Sequence, residues 1–310
     1  MTAGPHQTCS AELVATAAPG IELCYQTFGD PGGEPLLLIM GLGGPMIWWD
    51  DPFCELLAAR GFYVIRFDNR DCGRSTLLEG RVTLAHLTRA YAGLGGRPAY
   101  SIPDLAADAL GLLDHLGIDS AHVVGMSMGG MVAQTIAISR PDRVRSLTSI
   151  MSTTGRRSVG WQHPALFSIL LTRVNDREGY LAAGQRLWGL IGSPDYPTPV
   201  SELRARGLAT WERGVCRPGT ARQMLAILTQ PDRTEQLRRL TTPTLVIHGL
   251  ADKMVHVSGG RETARLVRGS ELLLVPGMGH DLPAPLWPAF VAAIERTARR
   301  GAQAHSAAGS

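Results

Sequence analysis

His122-Val123-Val124-Gly125-Met126-Ser127-Met128-Gly129-Gly130-Met131 is the stretch on which the reading of this chain turns. Its centre has the pattern Gly-x-Ser-x-Gly, with Ser127 as the serine. The apolar run Val123 to Met126 leads in, and the amphipathic run Met131 to Ser139 leads out. That order predicts a strand, an abrupt turn and a helix. A serine at such a turn takes a strained backbone conformation that lifts its hydroxyl above the sheet edge. Gly125 and Gly129 suit the turn, because side chains there would collide as the backbone folds back. The following helix aims its free N-terminal amides at the serine.

Outward from this centre, apolar runs alternate with helix-like segments. Ile21–Phe28, Leu36–Met40, Phe62–Phe67, Val144–Met151, Thr244–Gly249 and Leu272–Val275 read as strands. Phe53–Arg60, Ile102–Leu116, Gly259–Val267 and Trp287–Arg299 read as helices, and 85–98 is ambiguous. In the second of these helices Ile102, Leu105, Ala109, Leu112, Leu113 and Leu116 form one stripe, closed by Gly117. The alternation predicts an α/β fold, a mostly parallel sheet flanked by helices. The rhythm changes between Ser152 and Leu240. Four helix-like segments (Pro164–Val174, Arg177–Gly192, Pro199–Gly214 and Pro218–Gln230) occur there without a clear strand. The expected organisation is a core of residues 1–152 and 241–300, a helical cap of 153–240, and a frayed tail of 301–310.

Composition narrows the function. With 310 residues, 45% of them hydrophobic, the chain can bury a large core and carry an inserted smaller unit. The net charge of +3 is small and the basic residues are scattered, which argues against nucleic acid or an anionic membrane surface as partner. Lys253 is the only lysine, so Schiff-base chemistry has one candidate. The five cysteines (Cys9, Cys24, Cys54, Cys72 and Cys216) are odd in number and lack a Cys-x-x-Cys pair, which favours a reducing compartment. No signal peptide or membrane-spanning stretch is legible, and a cytoplasmic location is the expectation.

A serine hydroxyl needs a histidine to take its proton and an acid to orient that histidine. In a parallel sheet both must come from loops at the carboxyl ends of strands. Asp252 follows the strand Thr244–Gly249, and His280 follows Leu272–Val275 within Pro276-Gly277-Met278-Gly279-His280. The order Ser, Asp, His is the one expected with this serine turn. His256 is the rival base. His115, His122 and His248 read as structural, and no His-Glu-x-x-His or similar spacing points to a metal. Asp281 adjoins His280 too closely in sequence to orient its ring. The oxyanion of the reaction needs two backbone amides. Met128 supplies one; Leu42, with Gly41 or Gly43 as alternatives, supplies the other from the loop Gly41-Leu42-Gly43-Gly44.

On these residues the chain resembles the α/β-hydrolase superfamily. The matching motifs are Gly125-Met126-Ser127-Met128-Gly129, Asp68-Asn69-Arg70-Asp71-Cys72-Gly73-Arg74-Ser75, Asp252 and Gly277-Met278-Gly279-His280. Within the superfamily it is most similar to the aclacinomycin methylesterase-like esterases, which demethylate polyketide antibiotics. Leu38-Ile39-Met40-Gly41, Val64-Ile65-Arg66-Phe67-Asp68, His122-Val123-Val124-Gly125, Pro243-Thr244-Leu245-Val246-Ile247 and 276–280 carry that likeness. Most of the superfamily has His-Gly at Met40-Gly41 and glycine at Asp71; the methylesterase-like group shares both departures.

The resemblance implies a serine hydrolase cleaving a carboxylic ester through an acyl-enzyme, without cofactor or metal. Lactonases, carbon–carbon bond hydrolases and cofactor-free perhydrolases use the same three residues, and a non-turnover, receptor-like binder is a rival of another class. The expected ligand is a small-molecule ester, a methyl or short-alkyl ester of a bulky apolar acid. Trp48, Trp49, Trp161 and Trp188 are the expected substrate-binding residues, with Phe167, Tyr180, Tyr196 and Trp211 as further aromatics of the cap.

Overall fold

The computed structural model describes residues 9–163, 165–166 and 176–308. Eight strands form one sheet: β1 (Leu13–Ala18), β2 (Ile21–Phe28), β3 (Glu34–Ile39), β4 (Phe62–Phe67), β5 (Ala121–Met126), β6 (Val144–Ile150), β7 (Thr244–Gly249) and β8 (Glu271–Val275). Their order across the sheet is β1-β2-β4-β3-β5-β6-β7-β8. β1 pairs antiparallel with β2, and β2 with β4; every other pairing is parallel.

Chain order reverses at β3, which lies between β4 and β5. The chain leaves β3 and β5 in opposite crossover directions, and a crevice opens above their carboxyl ends. Ile39 stands beside Gly125 in that register, so the loops after β3 and β5 are neighbours.

Alternation along the strands divides the core into two layers. Leu37, Ile39, Ile65, Phe67 and Val123 face one layer. It is completed by the apolar sides of α3 (Ile102–His115) and α4 (Met128–Ser139). Leu36, Leu38, Met40, Val64, Val124 and Met126 face the other. There they meet α1 (Asp51–Ala58) and the long closing helix Trp287–Ala308. The stripe read on α3 is buried from Ile102 to Leu113. Ser101 and Asp104 cap its start reciprocally, and Gly117 takes the left-handed conformation just beyond its end (φ 67°).

The ambiguous region contains one short helix, α2 (Leu84–Tyr91). Between β6 and β7 the described residues carry no strand. They form α5 (Arg177–Ile191), α6 (Val200–Arg213), α7 (Arg217–Leu228) and α8 (Thr234–Arg238). The expected helix Pro164–Val174 lies outside the described residues apart from Ala165 and Leu166. The helix after β7 is α9 (Ser258–Leu266), and the closing helix is α10.

One element went unread and one expectation needs correction. β1 was not legible in the sequence: it is an exposed edge strand whose run Leu-Val-Ala-Thr-Ala-Ala lacks a buried period. The expected frayed tail from 301 is instead helical to Ala308. Gly301 is buried there, and a Cβ at that position would lie 2.2 Å from the Arg145 carbonyl oxygen, so the helix is seated on the sheet past residue 300. Alanines then extend it, at high helix propensity.

Candidate active site

Ser127 has φ 56° and ψ −119°, a conformation that costs energy in any residue with a side chain. It is held from both sides. Its amide donates to the Ile150 carbonyl at 2.8 Å, and its carbonyl accepts from the Ser152 hydroxyl at 2.8 Å. A Cβ on Gly125 would lie 2.0 Å from the Gly129 carbonyl oxygen, and one on Gly129 2.0 Å from that of Ile39. Glycine at both positions is therefore a steric requirement, as the sequence predicts. α4 begins at once, with Met128 as its first residue. The helix dipole and its free amides point at the serine.

The loop after β3 passes so close that a Cβ on Gly41 would lie 3.1 Å from the Ser127 Cβ. Gly43 cannot serve as an oxyanion donor, because its N–H is already given to Gln223 Oε1 at 2.8 Å. The amides of Leu42 and Met128 have no acceptor among the described residues.

Asp252 and His280 come together at the ends of β7 and β8. His280 Nδ1 lies 2.7 Å from Asp252 Oδ2. The other carboxylate oxygen accepts from the amides of Met254 (2.8 Å) and Val255 (2.9 Å). Burial alone would push the Asp252 carboxyl up; the neighbouring His280 and His248, by charge and by hydrogen bond, hold it down at about 2. That is below its unfolded value of about 3.9. Its contribution to stability is thus present above the unfolded value and lost as pH falls through about 2. An ionised carboxylate only accepts, so Nδ1 of His280 carries the proton and Nε2 is free to act as a base. The His280 amide donates to the Ile191 carbonyl at 2.7 Å, and a Cβ on Gly279 would lie 2.3 Å from that same oxygen. The end of α5 thereby sets the position of the histidine loop.

The rival base His256 is not on the carboxylate. Its Nδ1 meets Ser258 Oγ at 2.9 Å and its ring stacks on Trp161, with centroids 4.2 Å apart. His248 is buried and hydrogen-bonded to the Val255 carbonyl at 2.8 Å, with Asp252 Oδ2 at 3.4 Å. His122 is buried at the far end of β5, against Ser146 Oγ and Glu34.

A small cleft, partly open to solvent, adjoins these residues. Its wall includes Met126, immediately before Ser127, and Asp281 and Leu282, immediately after His280. Met40, Trp48, Trp188, Asp50 and Arg206 complete it.

Of the four tryptophans expected at the substrate, the structure brings Trp48 and Trp188 together edge to face, with centroids 5.5 Å apart. Trp49 is instead fully buried and stacks on Phe53; neighbours on one loop turn to opposite sides, and its side faces the core. Trp161 is half-exposed, with His256 as its partner. Tyr180 and Trp211 pack α5 against α6, Tyr196 packs on the core, and Phe167 lies outside the described residues.

The polar members of the wall escaped sequence reading. Asp50 and Arg206 meet at 3.3 Å across a separation of 156 positions, and no local pattern announces such a pair. Burial raises the Asp50 carboxyl, against the pull of Arg206. Burial also raises Asp281, which accepts from the Ser193 hydroxyl.

Comparison with known proteins agrees with this geometry. A family model described as the alpha/beta hydrolase fold matches residues 34–283. The chain is 30% identical over 295 residues to rhodomycin D methylesterase DnrP of Streptomyces peucetius, covering 88% of this chain and 94% of that protein. It is 27% identical over 251 residues to 3-oxoadipate enol-lactonase 2 of Acinetobacter baylyi, covering 79% and 81%. Among solved structures it is similar to a hydrolase from Pseudomonas aeruginosa PA01, with a TM-score of 0.70, 25% identity, and coverage of 92% of this chain and 97% of that one. Reversal of strand order at β3, the strained serine above it and the family match over 34–283 together assign this chain to the α/β-hydrolase family.

Proposed function

We propose that the protein hydrolyses a carboxylic ester through an acyl-enzyme on Ser127, with His280 as general base and Asp252 as its orienting acid. One observation carries the reading. A strained serine, two amides without acceptors and a hydrogen-bonded Asp–His pair converge on one edge of the sheet.

Ser127 Oγ attacks the ester carbonyl while its proton passes to His280 Nε2. The carbonyl oxygen becomes an oxyanion and accepts from the Leu42 and Met128 amides. As the tetrahedral centre collapses, the bond to the alcohol oxygen breaks and His280 returns the proton to that oxygen. Water, deprotonated by His280, then attacks the acyl-enzyme, releases the acid and restores the serine. Ser127 Oγ has no hydrogen-bond partner among the described residues, and catalytic contacts of this kind commonly tighten only when substrate binds.

The Leu42 assignment makes a sharp prediction. Leu42→Ala keeps the amide and stays within a few-fold of wild-type kcat. Leu42→Pro removes it and lowers kcat by roughly 10²–10³. Steady-state kinetics on p-nitrophenyl acetate distinguishes them; equal activities would move the donor to Gly41.

In this reading residues 153–240 form a cap, and the cleft beneath it receives the acyl part. The apolar surfaces of Met40, Trp48, Met126, Trp188 and Leu282 suit an aromatic or polycyclic acid, and the methylesterase relatives suggest a methyl leaving group. The test is kcat/KM for the methyl ester of an aromatic acid against that of a short aliphatic acid. The aromatic substrate is expected to win by at least about tenfold, since apolar burial contributes ~25 cal/mol per Å². A preference for the small acyl group, for long-chain lipid esters or for lactones would overturn the substrate reading and leave the three catalytic assignments standing.

A further inference from the structure

The loop that carries Leu42 is pinned at three points. The Met40 carbonyl accepts from Asn69 Nδ2 at 3.1 Å. The Met46 amide donates to Asp68 Oδ1 at 2.6 Å. Between them, the Gly43 amide donates to Gln223 Oε1 at 2.8 Å. Asn69 and Asp68 belong to the sheet domain, on the turn after β4. Gln223 does not: it lies on α7, in the helical segment between β6 and β7, 180 positions from Gly43. Its side chain is fully buried.

The amide of Gln223 has only one orientation here. Its oxygen faces an N–H, and its nitrogen donates to the Arg70 carbonyl at 2.8 Å. A carboxylate could not make the second bond, and an apolar side chain could make neither. The helix is close enough that a Cβ on Gly43 would lie 3.0 Å from Thr220 Oγ1. On the residue before Gln223, Arg222 grips Asp71 through two 2.7 Å bonds. α7 is therefore docked by an ion pair at one residue and touches the Leu42 loop through its neighbour.

We propose that Gln223 is a positioning residue for the oxyanion hole, whose hydrogen bond to the Gly43 amide sets the aim of the Leu42 amide. The inference rests on the hydrolase reading above. Apart from the turn bond from the Gly44 amide to the Gly41 carbonyl at 3.2 Å, a loop fixed at Met40 and Met46 alone could turn the intervening peptides. Fixing Gly43 removes that freedom, and it consumes an amide that would otherwise compete with Leu42. Because the oxyanion exists only after attack, loss of this restraint should fall on kcat and spare substrate binding.

Three variants test it: Gln223→Met, Gln223→Glu, and Arg222→Gln as a comparison that loosens the same helix away from the loop. The measurements are kcat and KM on p-nitrophenyl acetate, thermal midpoint, and Ki for an aryl trifluoromethyl ketone, which adds to serine as an oxyanion. For Gln223→Met the expected kcat loss is about 10- to 100-fold, short of the ~10²–10³ for deleting a donor outright. KM should stay within about twofold, and Ki should weaken in step with kcat. Arg222→Gln should lower the thermal midpoint with a much smaller change in Ki.

Gln223→Glu keeps the acceptor for Gly43 but sets a carboxylate against the Arg70 carbonyl. Its kcat relative to wild type should recover as pH falls and the acid regains a donor. If Gln223→Met does not fold, this pH dependence decides, and a flat ratio would overturn the proposal. So would wild-type kcat and Ki in Gln223→Met, or equal losses in Arg222→Gln. A wild-type protein with no esterase activity and no ketone inhibition would instead overturn the hydrolase reading, and the role of Gln223 with it.

Discussion

Replacing Ser127 by alanine should abolish turnover, lowering kcat by roughly 10⁶, as loss of the nucleophile does where serine, histidine and aspartate act as one unit. The fold should survive. The bonds from the Ser127 amide to Ile150 and from the Ser152 hydroxyl to the Ser127 carbonyl do not use the Ser127 hydroxyl, and that hydroxyl bonds no other described residue. Alanine must still accept φ 56°, a strain serine already bears. Circular dichroism and thermal melting should therefore match wild type while ester hydrolysis is lost. Hydrolysis at more than a thousandth of the wild-type rate would mean that another group attacks the ester.

Asp252→Asn should be nearly as damaging, for a reason visible in its hydrogen bonds. The Met254 and Val255 amides both donate to Oδ1, so an asparagine must place its oxygen there. Its NH₂ then faces His280 Nδ1, where the aspartate presents Oδ2. A donor at that point selects the tautomer protonated on Nε2, which cannot take the serine proton. A fall in kcat of roughly 10⁴ with little change in KM is expected, as in the worked protease case. His256→Ala should keep most activity, because that ring is engaged with Ser258 and Trp161. If His256→Ala were as inactive as His280→Ala, the assignment of the base would be wrong.

What could be read from the sequence was what local chemistry encodes. β5 reads as a strand because all six of its residues are buried. The serine turn reads from its two glycines, whose Cβ positions are blocked by backbone. Asp252 and His280 were legible because each follows a strand that is itself legible. Features settled by long-range docking were not. Trp48 and Trp49 are adjacent on one loop, and only the packed structure sends the first to the cleft and the second to the core. The Asp50–Arg206 pair and the Gln223 contact join segments more than 150 positions apart. α8 has five residues, too few for a periodic pattern to register. β1 and the last turns of α10 were missed for related reasons: Ala15 is the one fully buried residue of this edge strand, too little for a period to register, and a small polar tail becomes a helix once Gly301 seats against β6.

The central claim is that Ser127 is the atom that becomes acylated. The most direct measurement is to treat the native protein with a fluorophosphonate, digest it, and locate the adduct by mass spectrometry. One adduct is predicted, on the peptide containing Ser127 and stoichiometric with loss of activity. An adduct on a different residue, Ser152 or Ser193 for example, or no adduct on a protein that still turns over ester, would contradict it.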